Sequence, residues 1–239
     1  APPRIGTMPD SQSVPPIATW LLVSVALYLV ATNLSWRIQT RTSGREHRAG
    51  DMIRRIAAAD PIPAAVGFVY NVGVPYAALL VGVLDPRLAG LIGLDWIRSL
   101  TLGVGMTIAI ALLWRLNDLY LQGVAHPRVA DTVAARSPLT VAWRVVFQQA
   151  HWGFYRGGLA QLVGAYGGAF AGLGLVVLEW LADPAWRAGW SAQARARLLA
   201  FDMVMALSTT VLFISSGNLW VGGAMHLVLA LTVARPHST

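Results

Sequence analysis

The chain has 239 residues, of which 56% are hydrophobic and 12% charged, and its mean hydropathy is +0.56. A soluble domain carries about twice that charged fraction, so the composition argues against an ordinary soluble protein. The sequence has no cysteine, which excludes disulfides, thiol catalysis and cysteine-ligated metals. The net charge of +7 comes from arginines beside apolar segments. Positive-inside sorting and anionic headgroups account for such arginines, so we expect no nucleic acid partner.

Apolar segments long enough to cross a bilayer recur along the chain. They predict an all-α fold, a polytopic transmembrane helical bundle of about seven helices. The predicted spans are residues 17–34, 64–84, 100–116, a fourth helix that begins near Pro138, 163–181, 198–214 and 219–234.

Composition divides the chain into three parts. Residues 1–16 are rich in proline and serine and are expected to form an extended tail. Residues 17–62 hold the first transmembrane helix and a basic interfacial linker, and residues 63–239 form a six-helix membrane domain. Polar loops are expected at 117–138 and 182–197.

The arginine-rich segments fall on alternate connections between the predicted spans, and this pattern predicts the topology. By the positive-inside rule their side of the membrane is cytoplasmic. We therefore expect a protein of the cytoplasmic membrane with its N-terminus outside and its C-terminus inside. The segments that fall on the cytoplasmic side are 37–55, 115–144 and 187–197, together with Arg235.

The fourth predicted helix carries polar groups in an apolar context, where residues 146–159 read VFQQAHWGFYRGGL. Facing lipid, each polar group would cost several kcal/mol, so we expect them to face inward or toward a partner. They are either a functional site or groups that hydrogen-bond neighbouring helices and fix the packing. At helical spacing, Arg144, Gln148, His151 and Tyr155 form one stripe, and Gln149 and Arg156 form an adjacent stripe.

The segment HWGFYRGGL resembles the first motif of the CPBP family of intramembrane proteases, the group that includes the CAAX prenyl endopeptidases. That motif has two adjacent glutamates, three residues and then Arg-Gly, often with an aromatic residue before the arginine. Tyr155, Arg156 and Gly157 match its end, and the glutamate positions fall on His151 and Trp152.

The C-terminal segment LFISSGNLWVGGAMHLVLAL is similar to the last two motifs of that family. These are a glycine-containing turn, a Leu-Trp pair and a histidine followed four residues later by asparagine. His226 matches the histidine, and Ala230 stands where asparagine is expected. The middle FxxxH motif has no match, since Phe170 is followed at the fourth position by Gly174. The resemblance covers residues 64–234 and implies a CPBP-like core.

The glutamates and histidines of the family are thought to bind a metal or to activate a water for peptide cleavage. This chain has only two glutamates, Glu46 and Glu179, and neither belongs to the first motif. The resemblance without the glutamate pair predicts a scaffold with no catalytic residues and no resident metal. If zinc or a tetrapyrrole were bound, the candidate ligands would be His151, His226 and Asp202.

We therefore predict a non-catalytic structural or accessory subunit of a larger membrane complex, respiratory or photosynthetic. Its partners would be the lipid bilayer and other membrane subunits, and we predict no cofactor. Two alternatives stay open: an active intramembrane metal-dependent protease, and a pigment- or haem-binding subunit that uses His151 or His226. The polar cluster expected to join the fourth and last helices is Gln148, Gln149, His151, Arg156 and His226.

The fifth predicted span carries small residues at a spacing that favours close helix contact. Gly164, Gly168 and Gly172 are four residues apart. Small residues at this spacing let helix backbones approach each other. We expect the three glycines to pack against another helix of the bundle.

Overall fold

A computed structural model describes residues 16–43, 67–124, 137–191 and 193–233. These residues form helices and connecting turns without strands, so the all-helical prediction is confirmed for this part of the chain. The expected tail, up to residue 15, and residues 44–66, which contain most of the basic linker, lie outside the described residues.

Eight helices follow one another along these segments. They are α1 Pro16–Ser43, α2 Val69–Leu80, α3 Trp96–Val124, α4 Pro138–Val163, α5 Ala165–Ala182, α6 Pro184–Gly189, α7 Gln193–Ser216 and α8 Leu219–Val233.

Four of the described helices are long and apolar enough to cross a membrane, which indicates an integral membrane protein. Large apolar side chains such as Leu22, Ile97 and Leu113 are exposed on these helices, as a lipid-facing surface requires. The helices α2 and α8 are apolar but shorter. The four candidate spans are Pro16–Arg37, Trp96–Tyr120, Ala165–Ala182 and Arg195–Ser216.

Both predicted polar loops are partly helical. α3 continues to Val124, so the first turns of the expected loop at 117–138 belong to this helix. Asp118 lies in this extension, where it is buried and pairs with Arg197 of α7. Within the expected loop at 182–197, the Asp183 side chain accepts a hydrogen bond from the Ala185 backbone N–H at 2.8 Å and caps α6.

The N-terminal part of α2 is a π-helical turn, Val69–Gly73. The Asn71 side-chain amide donates to the Gly67 carbonyl at 2.8 Å within this segment. Pro75 follows in the first turn of the α-helical part, where a missing backbone N–H is tolerated. π-turns of this kind are frequent at functional positions, and this one carries Tyr70.

The α4–α5 hairpin is held together by two of the three glycines expected to pack. A Cβ on Gly168 would lie 2.2 Å from the Ala160 backbone nitrogen of α4. A Cβ on Gly172 would lie 2.8 Å from the Arg156 nitrogen. Gly164 instead forms the turn between the helices with φ 81°, and a Cβ there would meet nothing within 4 Å. The packing prediction is therefore wrong for Gly164, because the turn requires a left-handed residue.

α4 is the central helix of the bundle. It packs against α1, α2, α5 and α8, and its polar side chains also reach α7. All residues from 151 to 158 are buried, so this stretch is enclosed on every side. The segment that carries the family-like motif therefore lies in the protein core.

Candidate functional site

The local sequence places the polar part of α4 in the middle of the bundle. Ser137 caps the helix by accepting a hydrogen bond from the Thr140 backbone N–H at 3.2 Å, and Pro138 occupies the first turn. From this start the helix runs 26 residues to Val163. Its two polar stripes meet different neighbours.

One stripe builds a group of hydrogen-bonded side chains around Glu179, here called the glutamate cluster: Ser24, Tyr70, His151, Tyr155 and Glu179. The Tyr70 hydroxyl donates to Glu179 Oε1 at 2.7 Å, and the Tyr155 hydroxyl donates to the same oxygen. His151 Nε2 lies 2.9 Å from Glu179 Oε2 and 3.1 Å from the Tyr70 hydroxyl. The Tyr155 hydroxyl also lies 3.2 Å from Ser24 Oγ. The cluster thus connects α1, α2, α4 and α5.

Polar groups of three side chains converge on the two oxygens of the Glu179 carboxyl. The tyrosine hydroxyls occupy Oε1, and the imidazole of His151 faces Oε2. A buried carboxylate is tolerated when hydrogen bonds and an adjacent ionisable partner replace water. His151 Nδ1 is buried and has no hydrogen-bond partner among the described residues. The contacts of Nε2 with Glu179 and Tyr70 therefore orient the imidazole ring.

Glu179 is the functional candidate that the sequence reasoning missed. In the sequence this residue lies outside the first motif and near the end of the fifth predicted span. Its position can be read from the helical period, because Gly168, Gly172, Val176 and Glu179 share one face of α5. The glycines hold that face against α4, so the glutamate on the same face also meets α4.

The other stripe of α4 faces α7 and α8. Gln149 Nε2 lies 2.9 Å from His226 Nδ1. The His226 ring stacks on Trp152 of α4, with centroids 5.5 Å apart and planes 8° from parallel. Phe201 of α7 lies 6.0 Å from the same ring. His226 is therefore fixed by a side-chain amide and by aromatic neighbours.

Two arginines of α4 bind α7. The Arg156 guanidinium donates to the Thr209 carbonyl at 3.3 Å and to Thr209 Oγ1 at 3.1 Å. It also lies 5.7 Å from the centroid of the Phe213 ring. Arg144 forms an ion pair with Asp202. Helical spacing puts Arg144 on the His151 stripe, but the ion pair places its side chain on the α7-facing side of α4.

The structure divides the predicted polar cluster between two sides of α4. His151 faces Glu179 and Tyr70, whereas Gln149 faces His226. Gln148 contributes a buried Oε1 that has no hydrogen-bond partner within the described segments. Of the residues expected to join the fourth and last helices, the structure brings Gln149 and His226 together, whereas His151 points to α2 and α5.

The expected ligand set of His151, His226 and Asp202 is not brought together. Each of these side chains has a different polar partner: Glu179, Gln149 and Arg144, respectively. Residues 16–43, 67–124, 137–191 and 193–233 contain no group of three or more His, Cys, Asp or Glu side chains arranged to hold a metal. The two groups with metal-ligand chemistry that do meet are His151 and Glu179.

The fold and this site define a helical membrane protein with buried polar side chains around one central helix. The chain matches no protein-family model, no curated protein and no solved structure.

Proposed function

We propose that this chain is a non-catalytic integral membrane protein that serves as a structural or accessory subunit of a larger membrane complex. The observation that carries the proposal is the engagement of Glu179. Two hydroxyl donors occupy Oε1, and His151 occupies Oε2. A general base needs a lone pair directed at the water that it activates. Three contacts already use most of the roughly four acceptor positions of this carboxylate, which favours a role in holding four helices together.

The remaining polar groups of α4 support the same role. Arg156 is bound to Thr209, and Arg144 is paired with Asp202. Gln149 and Trp152 together hold His226. Interhelical hydrogen bonds of this kind fix helix packing inside a bilayer. They favour a rigid bundle whose apolar outer surface is left for lipid and for other membrane subunits.

The CPBP-like scaffold is part of this proposal. Its support is the position of the two similar segments: the Arg156-Gly157 motif lies on the central helix, and His226 on α8 packs beside it through Gln149 and Trp152. His151 stands at the first glutamate position of the motif, and a glutamate, Glu179, is its partner. The scaffold would keep a His–Glu pair while the motif itself has lost its glutamates.

We further propose about seven membrane passes, formed by the four apolar spans together with α2, α4 and α8. The arginine-rich ends would face the cytoplasm, with the N-terminus outside. One contact supports this alternation. Asp118 near the end of α3 pairs with Arg197 near the start of α7, so the C-terminal part of α3 and the N-terminal part of α7 lie on the same side of the bundle.

The test is purification of the full chain from native membranes in a mild detergent. The particle mass, the identity and stoichiometry of co-purifying chains, the absorption spectrum and the metal content are measured on one sample. A particle with stoichiometric membrane partners and no tetrapyrrole absorption supports the accessory role. A lone chain of 25.6 kDa contradicts it.

A second candidate function is an intramembrane hydrolase. The observation that favours it is the 2.9 Å contact between His151 and Glu179, since a histidine and a carboxylate at this distance are suited to acid–base chemistry. Hydrolysis of a fluorescent casein or of a labelled transmembrane peptide by the purified chain would support this function. The activity would have to be abolished in Glu179→Gln and retained in Asp95→Asn, an exposed acid on the loop before α3.

A further inference from the structure

A groove outside the polar sites runs between α3 and α7. Its volume is about 510 Å³, and its walls are mainly aliphatic and aromatic. Trp114 packs edge-on against Phe201 at a centroid distance of 5.3 Å and forms part of the floor. The groove is lined by Ile110, Leu113, Trp114, Asn117, Trp190, Ala196, Arg197, Ala200 and Val204.

The groove has a polar end and an apolar end. The Asp118–Arg197 ion pair joins the C-terminal part of α3 to the N-terminal part of α7, and the two helices run antiparallel along the groove. Asn117 and Arg197 therefore lie together near the ends of their candidate spans. Ile110 and Val204 lie seven residues away along each helix, about 10 Å deeper in the membrane. An amphipathic molecule that lies along the membrane normal within one leaflet has its polar and apolar parts in the same order as the groove.

The polar end offers hydrogen-bond donors. Asp118 occupies one terminal nitrogen of the Arg197 guanidinium. Arg197 Nε and Trp114 Nε1 have no hydrogen-bond partner in the part of the chain that the structure describes. Both nitrogens are buried, but the Arg197 side chain as a whole is 37% exposed, so part of this side chain is open to a ligand at the membrane surface. Donors without a counter-acceptor favour an oxygen-rich head.

We propose that this groove binds one membrane phospholipid with an anionic headgroup. One acyl chain lies against Ile110, Ala200 and Val204, and the phosphate accepts hydrogen bonds from the Arg197 guanidinium. Trp190 lies beside the headgroup region, where the amphipathic indole ring is favoured. The exposed Arg195 at the start of the same span adds positive charge on this side. This charge selects an anionic phospholipid over a zwitterionic one.

The test is native mass spectrometry of the full chain in detergent with equal amounts of phosphatidylglycerol and phosphatidylcholine. Ala200→Trp fills the groove, and Ala196→Leu fills it with a smaller side chain should the first variant fail to fold. The double variant Asp118→Asn/Arg197→Gln removes the guanidinium and keeps a polar pair. The matched controls are Ala171→Trp on the exposed face of α5 and Arg98→Gln near the opposite end of α3.

We expect the unmodified chain to retain one phosphatidylglycerol and to prefer it over phosphatidylcholine by about fivefold, the contribution of one arginine near an anionic surface. Filling the groove abolishes retention, the Asp118→Asn/Arg197→Gln variant weakens retention of both phospholipids, Arg195→Gln removes the preference, and both controls behave as the unmodified chain does. Equal retention of the two lipids by the unmodified chain overturns the proposal. So does undiminished phosphatidylglycerol binding in a folded groove-filling variant.

Discussion

His151 and Glu179 form the contact on which the central site is built. His151 Nε2 lies 2.9 Å from Glu179 Oε2, and the two side chains are 5% and 3% exposed. The residues are 28 positions apart and belong to the two helices of the α4–α5 hairpin. Breaking one member of such a buried pair leaves the other without compensation. The pair therefore predicts that substitutions within the cluster act on the stability of the whole bundle.

Replacing Glu179 with glutamine tests the carboxylate. The amide keeps the shape of the side chain, but one of its ends becomes a donor that faces donors from Tyr70, Tyr155 or His151. We expect Glu179→Gln to lower the free energy of unfolding by about 3 kcal/mol. In a chain of this size the Tm would fall by about 6–12 °C, measured by tryptophan fluorescence in detergent.

The matched control for this variant is Asp95→Asn. Asp95 is exposed and accepts a hydrogen bond from the Arg98 backbone N–H at 3.1 Å, a contact that an asparagine oxygen can also make. Its Tm should stay within about 2 °C of the unmodified chain. If Glu179→Gln behaved like the control, the glutamate cluster would not stabilise the bundle.

Replacing Tyr70 with phenylalanine removes one donor to Glu179 and keeps the ring. We expect a loss of about 1.5–3 kcal/mol, the cost of one hydrogen bond to a charged acceptor. The double variant with Glu179→Gln should be less destabilised than the sum of the single variants, because both changes weaken the same 2.7 Å contact, one by removing the donor and the other by removing the charge of the acceptor. The free energies come from denaturant unfolding of the purified protein.

Tyr76→Phe is the matched control on the same helix, since its ring is 59% exposed. Its effect should stay within about 0.5 kcal/mol. Additive losses for Tyr70→Phe and Glu179→Gln would show that the two side chains are not coupled.

The helical period and the cost of polar groups in lipid predicted that α4 buries its polar side chains. His151, Gln149 and Arg156 do lie in the protein interior. This part follows from the sequence because the penalty for exposing such groups to hydrocarbon is local and large. This penalty depends on the residue type and on the position of the residue along one helix.

The partners of those side chains could not be predicted in the same way. The pairing of His151 with Glu179, and of Arg144 with Asp202, depends on how α5 and α7 are rotated and shifted against α4. Helix rotation and shift result from packing over the whole bundle, including the close contact at Gly168. Asp118 illustrates the same limit: its polar neighbours suggested a loop, but pairing with Arg197 allows α3 to continue.

A comparison of two glycines of α5 tests the backbone contact between the helices of the α4–α5 hairpin. A Cβ on Gly168 would lie 2.2 Å from the Ala160 backbone nitrogen, so Gly168→Ala should separate the helices at a cost of about 1–3 kcal/mol. A Cβ on Gly174 would meet nothing within 4 Å. Gly174→Ala should therefore be neutral or stabilise the chain by about 0.5–1 kcal/mol through the helix preference of alanine. Both Tm values are measured in one detergent, and equal effects would contradict the backbone contact at Gly168.

The shape of the Arg156 side chain, as well as its charge, should matter for stability. Its planar guanidinium reaches both the carbonyl and the hydroxyl of Thr209 and lies over the Phe213 ring. Lysine keeps the charge but lacks the planar, forked arrangement of donors. Arg156→Lys should therefore cost about 1–3 kcal/mol, seen as a lower Tm, whereas Arg98→Lys on the exposed surface should change it by no more than about 2 °C. Equal Tm values for the two variants would mean that a buried positive charge alone is enough at position 156, and that the two contacts with Thr209 add nothing to the stability of the α4–α7 contact.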